Sequence, residues 1–288
     1  MSGRQKILVF DSGLGGLTVY RAIRALRPDA DYLYLGDDAL FPYGALAPDV
    51  LIARVDQVIA EAMADFAADC IVIACNTAST LVLPSLRARY SIPVVGTVPA
   101  IKPAAAMTRS GLISVLATPG TVSRDYTQDL IRDFAAGVEV TLVGSRALAG
   151  VAERALRGEA MADAEIVREI APCFVECNAF ASEAVSGLPE AAVPERETRR
   201  TDVIVLACTH YPLLLDRLRA LAPWPVEWID PAPAIARRVV QVIGERQIER
   251  QGAGRAIFTA GWPAEPRLVV ALEGDGISPG AFARSASR

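Results

Sequence analysis

Asp69-Cys-Ile-Val-Ile-Ala-Cys75 and Asp202-Val-Ile-Val-Leu-Ala-Cys208 are near copies of one another in a chain of 288 residues. Each opens on an aspartate, runs through five apolar positions and ends on a cysteine. The apolar run is continuous rather than alternating, which marks a parallel strand covered on both faces. The likeness persists beyond the cysteines. After a one-residue gap, Leu83-Pro-Ser-Leu-Arg-Ala88 matches Leu215-Asp-Arg-Leu-Arg-Ala220, and Pro93-Val-Val95 then matches Pro225-Val-Glu227. Each unit reads as a buried strand, a cysteine loop, a helix and another strand, so the chain holds an internal repeat.

A weaker echo pairs Ile7-Leu-Val-Phe-Asp11-Ser12-Gly with Ile113-Ser-Val-Leu-Ala117-Thr118-Pro. Further strands are expected at Lys6 to Phe10, Asp31 to Leu35, Val138 to Val143 and Val226 to Ile229, separated by Ala/Leu/Arg-rich helical stretches. The fold class is therefore α/β. Two pseudo-symmetric lobes are expected, each a mostly parallel sheet flanked by helices, with the active site in the cleft between them. Residues 1–99 with 230–288 form lobe A in this reading, and residues 100–229 form lobe B. Ala184 to Arg200 reads as an exposed loop inside lobe B.

Bulk composition narrows the function. Hydrophobic residues make up 52% and charged ones 22%, the profile of a water-soluble globular protein. The formal charge is −4, and 27 arginines against two lysines are scattered rather than clustered, which argues against nucleic acid as a partner. No apolar run approaches the ~20 residues of a membrane span, and the first apolar run ends on Asp11, too short for a secretory signal. A cytoplasmic location is expected. Five cysteines in a chain this long do not make a disulfide framework, so they read as free thiols. Cys173 and Cys177 stand at i, i+4 on an expected helix, but no matching Cys/His pair accompanies them, and no metal site is expected.

One cysteine ending a buried strand is ordinarily packing, since a free thiol behaves as a small hydrophobe. Cys70, Cys173 and Cys177 keep that reading. Repetition in both halves, beside polar Asn76-Thr77 and Thr209-His210, changes it for Cys75 and Cys208. Two lobes facing across a cleft bring one thiol to each face of a ligand, an arrangement suited to removing a proton from carbon on one side and returning it on the other. Helix N-termini after the cysteines would tune the thiols and offer N–H groups to carboxylates. Asp11 and His210 are placed to assist one thiol each. Asp11-Ser-Gly-Leu-Gly-Gly16 is a strand-to-helix turn that resembles a phosphate cradle but lacks the spacing of either nucleotide fingerprint. Trp224 and Trp228 read as core. The residues leave open a racemase acting on aspartate or another amino acid, a decarboxylase or hydrolase using one cysteine, and a non-enzymatic two-lobed anion binder.

The motifs as a set resemble the glutamate racemase family of the aspartate/glutamate racemase superfamily. They run from Asp11-Ser-Gly-Leu-Gly-Gly-Leu-Thr18 through Gly36-Asp37, Pro42-Tyr-Gly44, Ala74-Cys-Asn-Thr-Ala78 and Ala117-Thr-Pro-Gly-Thr121 to Ala207-Cys-Thr-His-Tyr-Pro212. The resemblance implies a cofactor-independent isomerase interconverting L- and D-glutamate and supplying D-glutamate for peptidoglycan. It implies that Cys75 acts on D-glutamate with help from Asp11, and Cys208 on L-glutamate with help from His210. Ser12, Pro42, Tyr43, Gly44, Asn76, Thr77 and Thr209 would hold the substrate, with Thr118, Thr121 and Glu153 nearby. A homodimer is implied. Asp38 and Leu40 depart from the family pattern, and the segment after Gly252 matches little of it.

Overall fold

The computed structural model describes residues 4–178, 198–246 and 249–281. Strands β1 (Lys6–Asp11), β2 (Asp31–Gly36), β3 (Cys70–Ile73) and β4 (Val94–Gly96) form one parallel sheet, which β11 (Gly254–Phe258) and β12 (Ile277–Pro279) extend in the order β12-β11-β2-β1-β3-β4. Strands β5 (Leu112–Ala117), β6 (Glu139–Gly144), β9 (Val203–Ala207) and β10 (Glu227–Ile229) form a second, ordered β10-β9-β5-β6. A short antiparallel ribbon joins β7 (Glu176–Asn178) to β8 (Thr198–Arg200).

The repeat is visible in the sheet order. β4-β3-β1-β2 in the first sheet corresponds to β10-β9-β5-β6 in the second, and the register agrees. Phe10 pairs with Ile73, and Leu116 pairs with Leu206. The weak echo between residues 7–13 and 113–119 is thus the central strand of each lobe.

Burial on both faces explains the unbroken apolar runs. Cys70, Val72 and Ala74 enter one core while Ile71, Ile73 and Cys75 enter the opposite one. Val203, Val205 and Ala207 divide from Ile204, Leu206 and Cys208 in the same way. Burying each such aliphatic side chain contributes about 1.5–3 kcal/mol. The aspartate that opens each copy ties down a neighbouring chain segment: Asp69 accepts the Lys6 N–H, and Asp202 accepts the Thr108 hydroxyl and the Arg109 and Ser110 N–H groups.

Helices α1 (Leu17–Leu26), α2 (Pro48–Phe66), α3 (Asn76–Arg89) and α4 (Ile101–Met107) follow β1 to β4 in turn. Helices α5 (Pro119–Val122), α6 (Asp125–Phe134), α7 (Leu148–Arg157), α8 (Asp163–Ile170) and α9 (Leu215–Leu221) belong to the middle of the chain. Then α10 (Ala232–Ile243) returns to pack on α1, and α11 (Pro266–Gly274) links β11 to β12. None of the described helices is long and apolar enough to cross a membrane.

Several expectations need correction. Sequence reading did not anticipate β11 and β12. The expected helix carrying both Cys173 and Cys177 does not exist: α8 stops at Ile170, Cys173 sits in a short 3-10 turn after Pro172, and Cys177 lies on β7. Proline removes the N–H that would have continued the helix. The expected loop from Ala184 to Arg200 lies mostly outside the described residues, and its last three residues form β8. Trp228 packs against the second-lobe core, and half-buried Trp224 donates its indole N–H to the Thr201 carbonyl.

Candidate active site

Cys75 stands where β3 gives way to α3. It is the N-cap residue of that helix, and its Sγ accepts the Ala78 N–H at 3.4 Å. The thiol is 5% exposed and lies 3.6 Å from Ser12 Oγ. Burial pushes the Cys75 thiol up to about 12, the Asp11 charge adds to the rise, and the Ala78 amide and Ser12 oppose it.

Cys208 follows β9 but does not cap a helix, contrary to expectation. Thr209 and His210 lead into a 3-10 turn at Tyr211–Leu214, and α9 begins only at Leu215. In place of a helix N-terminus, Cys208 has a histidine: His210 Nδ1 lies 3.8 Å from its Sγ. The other ring nitrogen, Nε2, lies 3.0 Å from Glu153 Oε1 and 3.2 Å from the Gly15 amide. A carboxylate that close to a bare ring nitrogen would be repelled, so the Nε2 proton belongs between His210 and Glu153. Burial works against the His210 charge, but the contacts with Cys208 and Glu153 outweigh it and raise its pKa well above the usual 6.5. Burial likewise disfavours the Glu153 carboxylate, yet His210, the Leu14 N–H and Arg157 hold its pKa below the ordinary value. His210 and Glu153 are therefore a buried cation–anion pair.

Both cysteines line one narrow cavity of about 20 Å³, together with Ser12, Phe41, Pro42, Tyr43, Gly44, Asn76, Thr77, Thr118, Ala149, Thr209 and His210. Most residues singled out from the sequence converge there. Asp11, Thr121 and Glu153 stand behind the wall instead. Asp11 accepts the Gly13 N–H at 2.9 Å and the Thr209 hydroxyl at 3.1 Å, so it braces Thr209 and acts on Cys75 through its charge. Thr121 closes a hydroxyl triangle with Thr77 and Thr118, at 3.3 and 3.1 Å, while Thr77 and Thr118 are 2.9 Å apart. These pairs, Asp11 with Thr209 and Thr77 with Thr118, each join one lobe to the other.

Asn76 is buried, and neither its Oδ1 nor its Nδ2 has a hydrogen-bond partner among the described residues. A buried amide unsatisfied at both ends is costly unless a ligand supplies an acceptor and a donor. Tyr43 is fixed by donating to Asp37, which also accepts from Arg54 and from Thr259 on the loop after β11. Burial disfavours the Asp37 carboxylate, but these donors keep its pKa low. Ala149 and Arg54 were not singled out from the sequence. Their contacts cross between distant segments, and no local spacing announces them.

The glycine-rich turn serves the site rather than a phosphate. Its amides are engaged by protein groups: Gly13 N–H by Asp11 and Leu14 N–H by Glu153. A Cβ on Gly15 would lie 2.3 Å from His210 Nδ1, and one on Gly13 would lie 2.4 Å from Glu153 Oε1. Gly15→Ala must push the His210 ring away from Cys208. An about 100-fold fall in turnover is expected, the size of effect that a 1 Å misplacement brings, together with a lower urea-denaturation midpoint, since overpacking a buried site costs about 1–3 kcal/mol. Turnover within a few-fold of wild type would show that His210 placement is not critical. Among the described residues no cluster of His, Cys, Asp and Glu is arranged to hold a metal.

A family model described as Asp/Glu/Hydantoin racemase matches residues 16–239. Glutamate racemase from Brucella anthropi is 52% identical over 246 residues, covering 85% of this chain and 82% of that protein. The crystal structure of Escherichia coli glutamate racemase in complex with L-glutamate and the activator UDP-MurNAc-ala aligns with a TM-score of 0.80 at 35% identity, covering 96% of this chain and 97% of that one. A glutamate racemase isoform from Bacillus anthracis aligns with a TM-score of 0.74 at 25% identity over 98% and 99% of the two chains. With most of its length matched by the family model and half of its residues identical to a relative across most of both proteins, this chain belongs to the glutamate racemases of the Asp/Glu/Hydantoin racemase family.

Proposed function

We propose that the protein interconverts L- and D-glutamate without a cofactor, using Cys75 and Cys208 as the two bases. The observation that carries this reading is that thiols from equivalent positions of two lobes open onto one cavity, each with a different set of helpers. With L-glutamate, the Cys208 thiolate takes the Cα proton to form S–H. The electron pair left on carbon delocalises into the α-carboxylate, and the Cys75 thiol delivers its proton to the opposite face. Cys75 is then the thiolate, and the reverse sequence starts from D-glutamate. The raised pKa of Cys75 suits it to hold the proton it must donate.

Asn76, with both amide atoms unsatisfied, fits a zwitterion that offers carboxylate oxygens and an ammonium together. Thr77, Thr118, Thr209, Ser12 and the Pro42–Gly44 turn supply the remaining polar wall. In this reading residues 1–99 with 230–288 make one lobe and 100–229 the other, the enzyme is a homodimer, and its product D-glutamate serves peptidoglycan synthesis.

The test uses D₂O. Each thiol accepts one proton, so the proton removed from L-glutamate stays on Cys208 while Cys75 delivers a deuteron acquired from solvent. Early in the reaction, deuterium is expected at Cα of the D-glutamate formed and not in the recovered L-glutamate. Aspartate should react far more slowly. No exchange with either glutamate enantiomer in reducing buffer would sink the proposal, and faster turnover of aspartate would move it to that substrate.

A further inference from the structure

We infer that Phe41 is a positioning residue for His210: its aromatic ring, reaching from the first lobe, packs against the second-lobe imidazole and separates it from a neighbouring cavity that Glu153 also lines. This rests on the two-thiol reading above. The two ring centroids are 5.3 Å apart with planes inclined at 44°. Phe41 lines the cavity that holds both cysteines, and it also lines a second one bounded by Leu14, Glu153, Arg157, Phe258 and Trp262. It is therefore the partition between them. His210 also meets Cys208 at Nδ1 and Glu153 at Nε2, and a Cβ on Gly15 would stand over its ring face at Nδ1. Only Phe41 among these neighbours is apolar and aromatic.

The physical role follows from that placement. A positively charged ring is attracted to an aromatic face. Keeping the second cavity's water off the imidazole strengthens the pair with Glu153 that keeps it oriented. Without the ring, water from the second cavity reaches the imidazole, which gains freedom to turn away from Cys208. The chemistry that suffers is the proton transfer at Cys208 and not the one at Cys75.

His210 is the only histidine in the chain, so its ring signals in an NMR spectrum are unambiguous. Phe41→Tyr keeps the ring and is expected to keep the His210 signals close to wild type and to be impaired less than the leucine variant. Phe41→Leu removes the aromatic face. It should displace the His210 Cε1–H and Cδ2–H resonances as the ring current is lost, and lower kcat/KM about tenfold. That fall must be equal for both enantiomers, whose equilibrium constant is unity. Isotope effects separate the two half-sites: with α-deuterated L-glutamate the effect on kcat/KM should rise, because transfer to Cys208 becomes limiting, and with α-deuterated D-glutamate it should fall.

Unmoved His210 resonances in Phe41→Leu would overturn the inference. So would unchanged isotope effects in a slowed variant, or a Tyr variant as impaired as Leu. If Phe41→Leu does not fold, Phe41→Met is read by the same three measurements. A wild-type protein inactive on glutamate would instead defeat the proposed function, while the NMR comparison would still report the contact.

Discussion

Cys75→Ser and Cys208→Ser are each expected to lose glutamate racemisation by on the order of 10³–10⁴-fold, the scale of a missing general acid or base. A serine hydroxyl is nearly the size of the thiol but far too weak an acid to share its role. The fold should survive both changes. At position 75 the serine oxygen keeps the N-cap, accepting the Ala78 N–H as Sγ does. At position 208 the side chain is 6% exposed beside His210, which still finds an acceptor there. The variants should differ in what they retain. Cys75→Ser keeps the thiol assigned to L-glutamate and should exchange only that enantiomer's α-proton, while Cys208→Ser should exchange only that of D-glutamate. Exchange will be slow, because a buried monoprotic thiol mostly returns the proton it removed. A hydrolase or decarboxylase using a single cysteine gives a different result, with one variant dead and the other near wild type. That outcome would end the two-base reading.

The features behind this prediction were legible in the sequence to differing degrees. The lobes could be read because their central strands are buried on both faces, so 70–75 and 203–208 had to stay apolar throughout, and the repeat survived as a visible pattern. The strands at 254–258 and 277–279 escaped because they extend the first sheet only and have no counterpart in the repeat. Gly254 sits where a Cβ would meet the Gly276 carbonyl at 2.5 Å, and a glycine at a strand start reads as a loop. The cysteines and His210 were recoverable from neighbours in sequence. Glu153 as the partner of His210 was not, since 57 residues separate them and only the fold brings them to 3.0 Å. Symmetry itself misled at Cys208. The first copy ends in a helix cap, and the second breaks that pattern with Tyr211-Pro212 to bring a histidine to the sulfur.

His210→Asn carries the second large effect, on activity and stability together. Asparagine is too short to span Cys208 and Glu153 and cannot carry the charge. Turnover is expected to fall about 10²–10³-fold. Stability suffers because Glu153 is left buried without its cation. Breaking a buried pair from one side costs about 3–5 kcal/mol, and the remaining Leu14 N–H and Arg157 place this case at the low end. The pH dependence identifies the cause. His210 has a raised pKa in the folded state, so its contribution is complete below the unfolded value of 6.5 and is lost as pH rises through the folded value. Glu153 has a lowered one, so its contribution is present above 4.5 and is lost as pH falls through the folded value. The stability gap between wild type and His210→Asn in urea should therefore be widest from pH 4.5 to 6.5 and narrow on either side. Adding Glu153→Gln to His210→Asn removes the stranded charge and should recover part of the lost stability without recovering turnover. A gap that stays constant across this range would mean that His210 contributes packing alone, and the charged pair behind Cys208 would have to be abandoned.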